Sequence, residues 1–256
     1  MPSTIKMARE FGDDLAVIFV ECQGASREGT ERFAWNQKWM GTGAMWTSER
    51  PFDTGAKGIP NFALLSSTGE VLLMGNPNAM HGAIKDAIES EIKGAQSAPE
   101  DAPKSLKKAW KSFAKGDFGK AIDEARKVES RGDEDAGQAT ATATAFLANI
   151  ETKFARVDWL LENAYLVEAQ DLFKDLAKSC KNVDDLEERI AGLEKTFDAD
   201  GFDDELEAAE AFAKLEQKLS EEGFDEKLLR KLEKFVEKNG SARVGKRAQH
   251  LLSLSS

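Results

Sequence analysis

Residues Gly58 to Leu73 constrain the fold of this chain more than any other stretch. They read Gly-Ile-Pro-Asn-Phe-Ala-Leu-Leu-Ser-Ser-Thr-Gly-Glu-Val-Leu-Leu. An apolar run follows Pro60, breaks at Ser66–Glu70 and resumes at Val71. Two apolar runs around a Ser/Thr/Gly break predict a β-hairpin, with the proline at the mouth of its first strand.

The surrounding sequence supplies the partners a hairpin needs. Ile5 to Phe11 predicts a short helix. Leu15-Ala-Val-Ile-Phe-Val20 is an uninterrupted apolar run, as for a strand buried on both faces. Ser26 is a candidate N-cap with Glu28 in the first turn of a helix running to about Met40, stopped by Gly41 and Gly43. Ala44 to Thr47 predicts a second strand, and Arg50 to Lys57 a connector. Ala79 to Lys93 predicts a closing helix with Ile84, Ala87, Ile88 and Ile92 on one face. The expected order for residues 1–93 is strand, helix, strand, hairpin, helix.

Residues 94–103, Gly-Ala-Gln-Ser-Ala-Pro-Glu-Asp-Ala-Pro, are small, polar and carry two prolines, which predicts a linker. Residues 104–256 read as all helix, with a long helix candidate from Gln138 to Leu161. The fold class expected is an α/β domain followed by an all-α, repeat-like domain.

The hairpin and the element order closely resemble the thioredoxin-like family, over about a third of the chain. The resemblance implies a four-stranded core and a cis proline at Pro60 facing a redox loop. The family's Cys-x-x-Cys is absent: counting from Phe19, its cysteines fall at Gly24 and Arg27. A shortened loop places Cys22 at the nucleophile position and Ala25 at the resolving one. The implied binding groove is Ile59 and Pro60 opposite Gly24, Ala25 and Ser26. The second part resembles tetratricopeptide helix hairpins at Ala109–Ala125, with echoes at Ala164–Ala177 and Asn239–Leu252 at irregular spacing.

Two cysteines, Cys22 and Cys180, fall in different predicted domains, and His81 and His250 lack ligand spacing, so neither a disulfide framework nor a metal site is expected. One thiol cannot close the internal disulfide of thioredoxin turnover. What remains open at Cys22 is mixed-disulfide, glutathionylation or sulfenic acid chemistry, or a packed, inert role. A peroxidase-like use would draw on Ser26 and Arg27. Cys180, between lysines on a helical segment, reads as an incidental surface or half-buried thiol. Trp35, Trp39 and Trp46 allow an exposed aromatic contact patch or packing against the sheet. Glu21, Glu28 and Glu31 read as a solvated rim. Asp198–Asp204 lacks calcium-loop order, and Asp203 reads instead as a helix N-cap, a device repeated at Gly223-Phe224-Asp225.

Charge narrows the partners. Up to Ala98 there are 9 basic and 12 acidic residues; beyond it there are 26 and 34, for a net −11. An acidic chain argues against nucleic acid and anionic membranes. Apolar runs fall short of the roughly 20 residues of a membrane span. The leaderless start places the chain by default in the cytoplasm, although an exported mature chain begins the same way. The expected function is a protein- or peptide-binding module with a degenerate redox site and no cofactor; the alternative is a one-cysteine thiol oxidoreductase.

Overall fold

The computed structural model describes residues 2–39, 44–49, 53–66, 68–95, 97–99 and 101–255; the side chains of residues 2, 13, 44–46 and 95 lie outside that description. Helix α1 (Pro2–Phe11), strand β1 (Val17–Val20), α2 (Arg27–Asn36), β2 (Ala44–Thr47), β3 (Phe62–Leu65), β4 (Val71–Gly75) and α3 (His81–Ala95) come first. Helices follow: α4 (Lys107–Ala114), α5 (Phe118–Glu129), α6 (Ala136–Glu162), α7 (Leu166–Ser179), α8 (Asp184–Phe197), α9 (Phe202–Glu222), α10 (Glu226–Asn239) and α11 (Arg243–Ser253). An α/β part thus precedes a helical part. Two compact units result. The first holds Met1–Ala95, Leu215–Glu233 and Leu251–Ser256; the second holds Gln96–Lys214 and Lys234–His250. The grouping is not a single cut at the linker, because two late segments join the first unit.

In the first unit, β1 and β2 run parallel from Val17↔Ala44 to Val20↔Thr47, joined through α2 as parallel neighbours must be. The hairpin is antiparallel, with Ala63 opposite Met74 and a bulge at Leu64/Leu65. Its turn is closed by Ser66, whose N–H donates to the Glu70 carbonyl at 2.8 Å and whose hydroxyl accepts the Glu70 N–H at 3.0 Å. Among the described residues the strands pair as two separate two-stranded sheets, and the expected four-stranded core does not form as one sheet there. Strands of four or five residues give each ladder few bonds to extend.

Strand periodicity decides what is covered. Phe62 and Leu64, on one face of β3, pack with Phe11, Leu15, Met80 and Ile92 around buried Met7, Ile84 and Ile88 from α1 and α3. The opposite face leaves Leu65, Leu72 and Met74 exposed. Likewise Val17 is buried while Ile18 is 56% and Val20 40% exposed. The expectation that Leu15–Val20 is buried on both faces is therefore corrected: only one face of β1 is covered.

Helix α2 starts as read, with the Ser26 hydroxyl accepting the Gly29 N–H at 3.1 Å. It ends four residues early. Lys38 takes a left-handed φ of 58°, its N–H reaches Trp35 and the Trp39 N–H reaches back to Ala34, a Schellman closure. Gly41 and Gly43, the stops read from sequence, lie outside the described residues.

The second unit is built from helix hairpins that pack on their chain neighbours. Phe146 of α6 stacks on Phe113 of α4 at 4.1 Å and meets Trp110 edge-on at 4.8 Å, while Phe118 of α5 closes on Phe113 at 5.1 Å. Farther along, Ala164 turns the chain from α6 to α7 at φ 59°. Arg247 of α11 donates to its carbonyl at 2.9 Å and covers the Tyr165 ring at 3.6 Å. Arg126 pairs with Asp185, and Arg189 with Asp158, tying α5 and α6 to α8. Asp203, read as a cap, sits inside the first turn of α9, whereas Asp225 caps α10 through the Lys227 N–H at 2.9 Å.

Gly119 and Gly192 respond oppositely to the same change. A Cβ at Gly119 would fall on the Lys181 carbonyl oxygen, deep inside van der Waals contact, whereas one at Gly192 meets nothing within 4 Å. Gly119→Ala should cost about 1–3 kcal/mol by forced backbone displacement. Gly192→Ala, in the interior of α8, should gain up to about 1 kcal/mol from helix propensity. Urea midpoints at unchanged m-value check both.

Candidate functional site

The loop from Glu21 to Ser26 leaves the end of β1 and enters α2. Its entry is fixed by the Glu21 N–H donating to the Thr47 carbonyl at 2.7 Å, which extends the β1–β2 pairing by one residue. The Glu21 carboxylate then folds over the loop and accepts the Gln23 N–H at 2.6 Å and the Gly24 N–H at 3.1 Å. Gly24 adopts φ 81°, the conformation glycine reaches without strain. The loop is thus wound about an anion supplied by its own chain.

Cys22 rides on the outside of this turn, exposed. It lies four residues ahead of the N-cap, not on it. The helix start belongs to Ser26: its hydroxyl takes the Gly29 N–H and its carbonyl the Thr30 N–H at 2.9 Å, with the Thr30 hydroxyl returning to the same carbonyl at 2.9 Å. The Gly29 N–H is one of the donors that a thiolate at a helix N-terminus would use. Arg27 is engaged by Glu31 at 2.9 Å and Arg32 by Glu28 at 2.9 Å, so Ser26 and Arg27 both serve α2. Glu31 is buried, which corrects its place in a solvated rim.

On the other side of the expected groove, the Ile59–Pro60 peptide is cis, as the family resemblance implies, and Ile59 is 65% exposed. Asn61 holds the approach to the strand through Thr54 at 2.7 Å. Gly24, Ala25, Ser26, Ile59 and Pro60 all lie at the surface. Cys22 follows a strand of one sheet, however, and Pro60 precedes a strand of the other.

The three tryptophans do not share one exposed face. Trp35 is buried against Phe224 at 5.9 Å. Trp39 is half-buried between Phe19 at 5.6 Å and Phe33 at 5.3 Å. The Trp46 side chain lies outside the described residues. Packing, the other sequence-based possibility, thus accounts for Trp35. Sequence inspection missed Phe224 as its partner, since nothing local links positions so far apart.

Cys180, in the second compact unit, is buried, which corrects its reading as a surface or half-buried thiol. Burial pushes its thiol up to about 11, and the Glu151 carboxylate adds to the shift. It lines the floor of an open groove of about 500 Å³ with Lys181, Val183, Ile190 and Glu194. Among the described residues, no group of three His, Cys, Asp or Glu side chains is placed to hold a metal ion. No helix among them is long and apolar enough to cross a membrane.

The two thiols separate experimentally. At about pH 8 the folded protein should take up one equivalent of a maleimide, at Cys22, with the second appearing only on unfolding; Cys22→Ser should show none until then. The folded Cys180 keeps its proton up to about 11, while the unfolded thiol releases its proton near 9.0. Stability is therefore insensitive to this group below that value and falls as pH rises between the two, because only the unfolded chain releases the proton. Denaturation curves of Cys180→Ala should lack that part of the alkaline slope.

No protein-family model, no curated protein and no solved structure matches this chain.

Proposed function

We propose that the chain is a protein-interaction module in which a degenerate thioredoxin-like domain presents strand edges and apolar side chains to an extended peptide, beside a tetratricopeptide-like helical part. Support for the domain type comes from the order of elements, the parallel β1–β2 pair across α2 and the hairpin followed by α3. The observation that carries the function is the apolar outer face of the short strands. Ile18, Val20, Leu65, Leu72 and Met74 are all at least 36% exposed, on two-stranded sheets whose outer edges have no partner strand among the described residues. Open edges with exposed apolar side chains are a liability unless something covers them. An added strand satisfies both: main-chain bonds at the edge, alternate side chains on the apolar face.

A second function draws on the exposure of Cys22 alone. Its thiolate would attack a disulfide sulfur of a partner, forming a mixed disulfide and expelling the partner's other sulfur as thiolate. With no second thiol at hand, an external thiol such as glutathione would have to release it.

Two assays decide between them. Anisotropy of a labelled, extended Val/Thr-rich peptide should report binding that Cys22→Ser leaves intact. Leu72→Lys with Met74→Lys should weaken it at least about tenfold, or 1.4 kcal/mol. Glutathione-coupled reduction of a disulfide substrate should run at background in both wild type and Cys22→Ser. Turnover that disappears with Cys22, or peptide binding indifferent to the lysines, would reverse the assignment.

A further inference from the structure

The carboxyl-terminal helices carry charge against the trend of the chain. Residues 227–247 hold eight basic side chains against Glu233 and Glu237, while residues 184–210 hold twelve acidic ones against Arg189 and Lys195. On α10 the lysines at 227, 231, 234 and 238 recur every four, three and four residues, which places them along one flank. Leu228 and Leu232 are buried, and all four lysines are exposed. The glutamates at 226, 233 and 237 fall on the other flank, where Glu226 takes Arg230 as its ion pair. None of the four lysines forms an ion pair with another described residue.

Solubility alone does not account for this arrangement. A surface helix gains from opposite charges at i,i+4 and loses from like charges there. Here Lys227/Lys231, Arg230/Lys234 and Lys234/Lys238 are all like pairs at that spacing, and Lys227 sits in the first turn, at the positive end of the helix dipole. Interleaving the same residues would solubilise the helix equally and stabilise it.

A matching counter-surface exists in the same chain. On α9, Asp203, Glu207 and Glu210 recur every four and three residues and are exposed, none of them in an ion pair with another described residue. At 1.5 Å rise per residue, the lysine flank runs about 16 Å and the acidic flank about 10 Å, so one covers the other in register. We propose that the lysine flank of α10 docks on the acidic flank of α9 in a second copy of this chain. Because the two surfaces differ, a single such contact is head-to-tail and leaves one flank of each kind open unless the assembly closes on itself.

Sedimentation velocity of the full chain at about 0.1 M and about 1 M salt tests this, since the screening length drops from about 10 Å to about 3 Å between them. The sedimentation coefficient should rise with concentration in the lower salt and not in the higher. Neutralising the lysines (Lys227→Gln, Lys231→Gln, Lys234→Gln, Lys238→Gln) or the acids (Asp203→Asn, Glu207→Gln, Glu210→Gln) should leave each variant monomeric. Their equimolar mixture should stop at a one-to-one dimer, because each contributes the flank the other lacks. Arginines in place of the four lysines should preserve association, which separates charge from helix stability. Wild-type sedimentation independent of concentration up to about 1 mM, a Kd that would leave little binding energy to find, overturns the proposal. So does association that survives high salt or either neutralised variant.

Discussion

Phe146 is the side chain on which the helical part depends. It is 1% exposed and touches Phe113 face to face and Trp110 edge to face, so one residue of α6 fastens both ends of the α4 aromatic pair. Buried aromatic contacts of this kind contribute about 0.5–1.5 kcal/mol beyond their area. Helices α5 and α7 pack directly on α6. The same helix buries Ile150, Phe154 and Val157 toward its carboxyl end, delivers the chain to the Ala164 turn and receives Arg247 there. Gly119 is the corresponding constraint on α5: without a side chain, its backbone can approach the Lys181 carbonyl, and the turn before α8 is held close to α5.

The α/β part is organised differently. Its core lies on one side of the hairpin, between α1 and α3, with Met7, Ile84 and Ile88 at the centre. The Lys85–Glu10 ion pair links those two helices at the rim, and the hydrogen bond between them lowers the Glu10 carboxyl and raises the Lys85 ammonium from their ordinary values. Both groups are solvated, so the pair orders the surface more than it stabilises the fold. The outer strand faces receive no such layer. A thin sheet with one covered face is a sound platform for recognition, because its uncovered face and edges are held in place by the covered one.

The hairpin, the Ser26 cap, β2 and the long α6 were legible in the sequence because each is written in local chemistry: a break between apolar runs, a hydroxyl before a helix, a sustained helical period. Other features resisted for physical reasons. An apolar run such as Leu15–Val20 has the same appearance whether one or both faces are covered, since coverage depends on distant segments. The end of α2 is set by Lys38 in a left-handed conformation, for which lysine carries no signal. Trp35 finds Phe224 across nearly the whole chain. The basic flank of α10 was hidden by averaging, because a net charge of −11 conceals a local excess of the opposite sign.

The loop before α2 is closed by groups of its own chain. A helix start has few N–H donors, and a capping hydroxyl competes for them with an incoming thiolate. Here the Ser26 hydroxyl holds the Gly29 amide, while Glu21 claims the loop amides of Gln23 and Gly24. A carboxylate bound by the loop backbone does the job an external anion would do, and it does so beside Cys22. Apolar side chains stay exposed on the strands, with Ile18 and Val20 leading into the turn and Leu65, Leu72 and Met74 on the hairpin.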